Sequence, residues 1–232
     1  MTDFVLTRAL LEAGGIDAMV ARSAPDMRLL TEAERAESLR QTLAARPVGE
    51  AAWLFGYGSL IWNPQIHAVE HRTATVRGWH RAFCLSTRAG RGTSDNPGLV
   101  LGLDAGGSCT GVAFRIAEDV LEAELALLWR REMLAGAYVP RWLDLEDEHG
   151  ARFGSAIAFT VDPLGNQYAG QLAQDAVIAR LASAAGELGS SADYLFRTCA
   201  GLHQVGIPDA ELDALAAVVA LAQQRPSARE ET

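Results

Sequence analysis

The stretch WLFGYGSLIW, Trp53–Trp62, sets two glycines and a serine inside an otherwise apolar run. Its flanks read as a buried strand. Glycine on either side of Tyr57 implies backbone brought close to another group, because a residue without a Cβ permits close approach and positive φ. A dinucleotide-binding turn would need a third glycine where Ile61 stands and a helix after it, and Asn63-Pro64 disfavours that helix. Two readings of the turn remain. One is a cradle of successive backbone N–H groups for an anion or oxyanion; the other is a glycine bulge at the corner of a barrel.

Outward from this turn the texture of the chain divides in three. The first 46 residues read as helical, and TEAERAESLRQTLAARP carries Thr31 and Glu34 at capping-box spacing and stops at Pro47. From Trp53 to Asp162 the pattern is short strands: WLFGYG, HRTATVRGW, HRAFCLST, GLVLGLD, CTGVAFRIA, AYVPRWLDLE and ARFGSAIAFTV, with DAGGS and DEHG as turns. One helix, AEDVLEAELALLWRREM, interrupts them. After Pro163 the pattern returns to helix: LAQDAVIARLASAAGELG, SADYLFRTCAGLHQVG and PDAELDALAAVVALAQQ. Many brief strands with one inserted helix predict an α+β fold, a small closed or half-closed β-barrel flanked by N- and C-terminal helices, not a parallel doubly wound sheet. The expected division is a helical arm over 1–50, a barrel domain over 51–222 and a polar tail over 223–232.

Composition narrows the function. The 232-residue chain is 49% hydrophobic with a formal net charge of −9, which argues against nucleic-acid and anionic-membrane partners because both call for a basic surface. Every basic residue is an arginine, and the absence of lysine removes P-loop and Schiff-base chemistry. Cys84, Cys109 and Cys199 form no CxxC pair, so neither a disulfide scaffold nor a thiolate zinc site is expected. The N-terminus lacks the signature of a secretory signal. The longest apolar run, ALAAVVALA, falls far short of the roughly 20 residues that span a bilayer. A cytoplasmic protein with no membrane partner is the expectation.

Three further features bear on chemistry. HAVEH (His67, Glu70, His71) fits the H-x-x-E-H pattern of one zinc-protease class, which requires a helix to bring both imidazoles to one face. Here the segment lies between Pro64 and a β-branched run, which favours two solvated histidines. STRAGRGTSDNPG offers Arg88 and Arg91, either as guanidinium partners for a substrate carboxylate or as members of a solvated loop. In the inserted helix Leu121, Leu125, Leu128 and Glu132 share one face. A carboxylate ending such a stripe loses solvation, its pKa rises, and it can take and return a proton near neutral pH. The competing reading pairs Glu132 with Arg130, Arg131 or Arg141.

Taken in chain order, LFGYGSLIW, RGWHRAFCLSTRAGRGTSDNPGLVLGLDAGGSCTGVAFRI, LWRREM, GAYVPRWL and ADYLFRT resemble the ChaC-type γ-glutamylcyclotransferases over about Trp53–Gly206. The resemblance implies a small β-barrel and conversion of γ-glutamyl compounds, chiefly glutathione, to 5-oxoproline with release of Cys-Gly. It implies that Phe55, Gly56, Tyr57, Gly58, Ser59 and Leu60 form the loop that binds the γ-glutamyl group, and that Glu132 is the catalytic acid–base. Tyr138 and Tyr194 are then expected to line the pocket, with Arg88 or Arg91 at the glycine carboxylate. No cofactor follows, because the substrate's own amine is the nucleophile. The alternatives are a binding module without turnover and a zinc hydrolase built on HAVEH.

Overall fold

A computed structural model describes residues 6–224. The helical arm comprises α1 (Arg8–Glu12), α2 (Gly15–Ser23) and α3 (Glu32–Ala44). The capping box is present at α3: Thr31 Oγ1 accepts from Glu34 N–H, and the Glu34 carboxylate accepts from Thr31 N–H. The arm is laid against the barrel. Leu30 N–H donates to Leu134 O at 2.9 Å and Trp142 Nε1 donates to Thr42 O at 2.7 Å.

Strands β1 (Trp53–Gly56), β2 (Glu70–Thr87), β3 (Gly98–Arg115), β4 (Tyr138–Glu146) and β5 (Arg152–Val161) close into a barrel in the order β1-β3-β2-β4-β5, sealed by a parallel β1–β5 pairing. The expected barrel is therefore present, but it is made from fewer and longer strands. HRTATVRGW and HRAFCLST are one strand, as are GLVLGLD and CTGVAFRIA. The predicted breaks are bulges: Arg77 pairs with Ser108 and Trp79 with Ala105, so Gly78 opposes Gly106 and Gly107, all three at positive φ. Glycine there lets a long strand bend around the barrel instead of ending.

A single helical turn, α4 (Ser59–Trp62), follows β1 and ends before Asn63-Pro64. Helix α5 (Leu121–Glu132) crosses from β3 to β4, and its Leu121, Leu125 and Leu128 are buried with Leu54, Ile157 and Phe159 of the barrel. The C-terminal part is α6 (Gln174–Ser183), a small hairpin of β6 (Ala185–Gly186) and β7 (Gly189–Ser190), then α7 (Ser191–Gln204) and α8 (Ala210–Gln224). The hairpin replaces the end of a longer predicted helix, where Gly186 and Gly189 break the helical run. Of the predicted polar tail, 225–232 lies outside the described residues. None of the described helices is long and apolar enough to cross a membrane.

Candidate active site

A cavity of about 500 Å³ lies where the end of α5, the α4 turn, the first turn of α7 and the arm converge. Its size falls within the few-hundred to 1,000 Å³ typical of small-molecule sites. Ser59, Glu132, Tyr138 and Tyr194, all expected site residues, line it together. Arg131 lines it too.

The Glu132 side chain is 12% exposed and that of Arg131 6%. Arg131 Nε lies 2.8 Å from Glu132 Oε1, yet Oε1 receives no hydrogen bond among the described residues. Proximity without alignment is the natural outcome for neighbours on a helix, whose side chains diverge. The guanidinium is instead fixed from its far end, Nη1 donating to Asn63 O at 2.5 Å and Nη2 to Ser59 Oγ at 2.8 Å. The ion-pair reading of Glu132 is thus realised as a nearby positive charge, and the burial reading holds as well. Burial pushes the Glu132 carboxyl above its ordinary range, and Arg131 opposes that rise.

Three phenols lie near enough to this carboxylate to feel its charge. Burial raises Tyr57 and Tyr138 well above their ordinary value and Tyr194 to about 12, and the Glu132 charge adds to each rise. All three are neutral donors at physiological pH. Tyr57 Oη donates to Phe159 O at 2.8 Å, whereas Tyr194 stands edge-on to Trp62 and Phe83.

Of the expected γ-glutamyl loop, Phe55–Leu60, one residue lines the cavity. Phe55, Gly56, Tyr57, Gly58 and Leu60 are not part of the cavity lining; from that segment Ser59, Trp62 and Asn63 are. The room left by the glycines is filled by the protein itself. A Cβ at Gly56 would lie 3.0 Å from Phe114 Cε2, and one at Gly58 2.8 Å from Tyr194 Oη. Phe55 and Leu60 are core residues of two different clusters. The missing Cβ at Gly58 leaves the space that the Tyr194 hydroxyl takes, and Ser59 beside it lines the cavity.

Arg88 also departs from expectation: it is ion-paired with Asp26 of the arm at 2.6 Å and lies outside the lining. Arg91 does line the cavity, with Nη1 donating to Asp193 Oδ2 at 2.7 Å and to Ser190 O at 3.2 Å. The HAVEH segment forms no helix. Glu70 and His71 open strand β2, Glu70 is held by Arg72 and Arg115, and His67 Nδ1 sits 2.9 Å from Glu124 Oε1. Alternation along a strand sends Glu70 and His71 to opposite faces. No group of three or more His, Cys, Asp or Glu able to hold a metal occurs among the described residues.

Sequence reasoning overlooked Glu124, whose side chain is 4% exposed and accepts two hydrogen bonds from Arg8, at 2.7 and 2.9 Å. The signal was present: Glu124 lies three residues after Leu121 and Arg131 three after Leu128, on the same stripe as Glu132. It also missed Met19 and Met27, which carry the arm into the cavity wall.

The ChaC-like protein family matches residues 52–223. The chain is 46% identical over 200 residues to the glutathione-specific γ-glutamylcyclotransferase of Escherichia coli (strain K12), spanning 86% of each chain. It is 30% identical over 173 residues to glutathione-specific γ-glutamylcyclotransferase 1 of Homo sapiens, spanning 73% of this chain and 78% of that one. Among solved structures, a γ-glutamyl cyclotransferase specific to glutathione from yeast shares the fold, with a TM-score of 0.68 at 20% identity over 77% of this chain and 100% of that one.

Proposed function

The chain belongs to the ChaC-like family and is a γ-glutamylcyclotransferase acting on glutathione; we propose that Glu132 moves the protons of the reaction in the cavity it shares with Ser59, Arg131, Tyr138 and Tyr194. The observation that carries this assignment is a buried carboxylate on the cavity wall whose Oε1 has no hydrogen-bond partner among the described residues.

The chemistry asks for little else. The α-amine of the γ-glutamyl group attacks its own γ-carbonyl carbon and closes a five-membered ring, so neither water nor an enzyme nucleophile enters. That amine is mostly protonated at neutral pH, with a pKa of about 8. Glu132 takes one proton from the ammonium, which frees the attacking lone pair, and passes it to solvent. It then takes a second proton from that nitrogen as the new C–N bond forms and gives it to the cysteinyl nitrogen as the old C–N bond breaks; the released amine regains its last proton from solvent. The products are 5-oxoproline and Cys-Gly. A raised carboxyl pKa suits both halves, since an acid–base group works best when its pKa lies near the working pH.

The negative charge that develops on the carbonyl oxygen needs donors held in place beforehand. Ser59 is suited to this role. Its oxygen already accepts from Arg131 Nη2, which leaves its own proton free for the substrate. Tyr138 and Tyr194 remain protonated beside it. Ring closure also requires the flexible γ-glutamyl chain to be held folded, a positioning effect that the enclosed cavity supplies. We assign the protein to the cytoplasm, where glutathione and three free buried thiols (Cys84, Cys109, Cys199) share a reducing environment.

The test is incubation with glutathione, following 5-oxoproline and Cys-Gly in equal amounts, alongside Glu132→Gln. Stoichiometric product from the wild type and loss of turnover in a folded variant are expected; near-normal turnover in the variant overturns the role of Glu132.

A further inference from the structure

The cavity has two unlike halves. One is polar and carries Ser59, Arg131, Glu132, Tyr138 and Tyr194; the other is apolar and is built largely by the arm, through Ile16, Met19, Val20 and Met27 with Leu134 and Leu188. These apolar residues belong to one buried cluster that joins the arm to Ala89 and to Leu127 of α5. The arm lies before the region matched by the family, which begins at residue 52.

Its placement over the cavity is secured at several points. Arg8 is held by the buried Glu124. Arg22 and Ser23 hold Glu187, itself on the cavity wall, at 2.8 and 2.5 Å. Leu30 N–H is bonded to Leu134 O beside the active carboxylate. The segment between these anchors has no freedom to stand away from the site without breaking them.

We propose that the arm segment from Ile16 to Met27 is the subsite for the departing dipeptide, and that Met19 and Met27 make the enzyme read the cysteinyl side chain. The inference rests on the assignment of the reaction to this cavity. The γ-glutamyl head carries an ammonium and a carboxylate and belongs in the polar half. The leaving group begins with a short side chain ending in a thiol, a small polarizable hydrophobe, for which the half-buried Met27 backed by the buried Met19 is an adaptable apolar surface. On this division of labour the barrel domain performs ring closure, and the added arm selects what may depart.

The test compares glutathione with γ-glutamyl-alanyl-glycine, which lacks the sulfur, in the wild type, Met27→Ala and Met27→Leu. Met27 is half-buried, so its truncation is tolerable; Met27→Gln, which keeps length and removes the apolar end, is the second variant. The wild type is expected to prefer glutathione by at least about tenfold in kcat/KM, the scale on which an apolar pocket reads one small group. In Met27→Ala and Met27→Gln that preference falls by about fivefold or more, through a higher KM for glutathione at little-changed kcat. Met27→Leu retains most of it. Release of 5-oxoproline from neither peptide by the wild type is a failure of the assigned reaction. Turnover of glutathione by folded Met27→Ala and Met27→Gln with an unaltered preference overturns the arm subsite alone.

Discussion

The hydroxyl of Tyr194 occupies the place where a side chain at Gly58 would begin, 2.8 Å from the position of a Cβ there. Tyr194 cannot simply retreat, because its ring is buried between Trp62 and Phe83. Gly58→Ala is therefore expected to cost about 1–3 kcal/mol of stability, the usual scale of overpacking. It should also lower kcat by displacing a phenol that faces Glu132. Tyr194→Phe in the Gly58→Ala background removes the clashing oxygen and should recover part of the lost stability. A double-mutant cycle by chemical denaturation measures the coupling; additive effects would show that the two residues do not constrain each other.

Glu132→Gln separates catalysis from folding. The amide cannot act as a base, so kcat should fall by about 10²- to 10⁴-fold. Arg131 keeps its bonds to Asn63 O and Ser59 Oγ, so the variant should remain folded. Because burial raises the folded pKa of Glu132, its ionised form opposes folding. That cost is absent well below the ordinary carboxylate pKa of about 4.3 and grows as pH rises through the raised value. Relative to wild type, the variant should therefore gain Tm at pH 7 to 8 and gain nothing near about pH 4. A Tm deficit at neutral pH would favour a structural ion pair.

On the role proposed for Glu132, the same raised pKa sets the acid limb of activity. Wild-type kcat/KM should decline on acidification at a pH distinctly above the about 4.3 of an ordinary glutamate. In Ser59→Ala the free hydroxyl is lost while Glu132 remains, so the acid limb should persist at reduced kcat. A pH–rate profile on both proteins checks this.

The latch between Arg8 and Glu124 has the opposite sign. Burial favours the neutral acid, but the bonds from Arg8 and His67 outweigh it and hold the Glu124 carboxyl at about 2. A lowered folded pKa contributes stability that is complete above about 4.3 and disappears as pH falls toward the folded value, here on the order of 2–3 kcal/mol. Glu124→Gln should thus be less stable than wild type at pH 7, and the gap should close between about pH 4 and 2. Urea unfolding across that range measures it; a gap independent of pH would show that the latch acts through packing alone.

Metal removal should leave turnover unchanged, since the nucleophile is built into the substrate and HAVEH is divided between a loop and a strand. Activity after EDTA, with and without added zinc, is the measurement. Loss on chelation with recovery on zinc would return attention to His67, Glu70 and His71.

What the order of residues determines alone is local. The capping box at Thr31 and the stripe Leu121–Leu125–Leu128–Glu132 follow from spacings of a few residues, and both are present. Asn63-Pro64, expected to keep helix from following the glycine turn, instead cuts it to the single turn Ser59–Trp62. The run of brief strands pointed to the barrel and the apolar stripe to Glu132 at its end; the likeness of the whole motif set to one family added the reaction. Pairing partners were not legible, because they lie far apart in the chain. Gly106 and Gly107 look like turn residues, and Gly78 like the end of a strand, until the β2–β3 register sets them opposite one another as a bulge. Gly58 looks like room for a ligand until Tyr194, distant in sequence, arrives to fill it. Arg88 looks like a substrate partner until Asp26 of the arm claims it. The position of the arm itself depends on Arg8 meeting Glu124 and Met19 meeting Leu188. Periodicity reveals which face of an element is buried; the partner that covers it is chosen by closure of the chain over long distances, and that choice is made only in the folded protein.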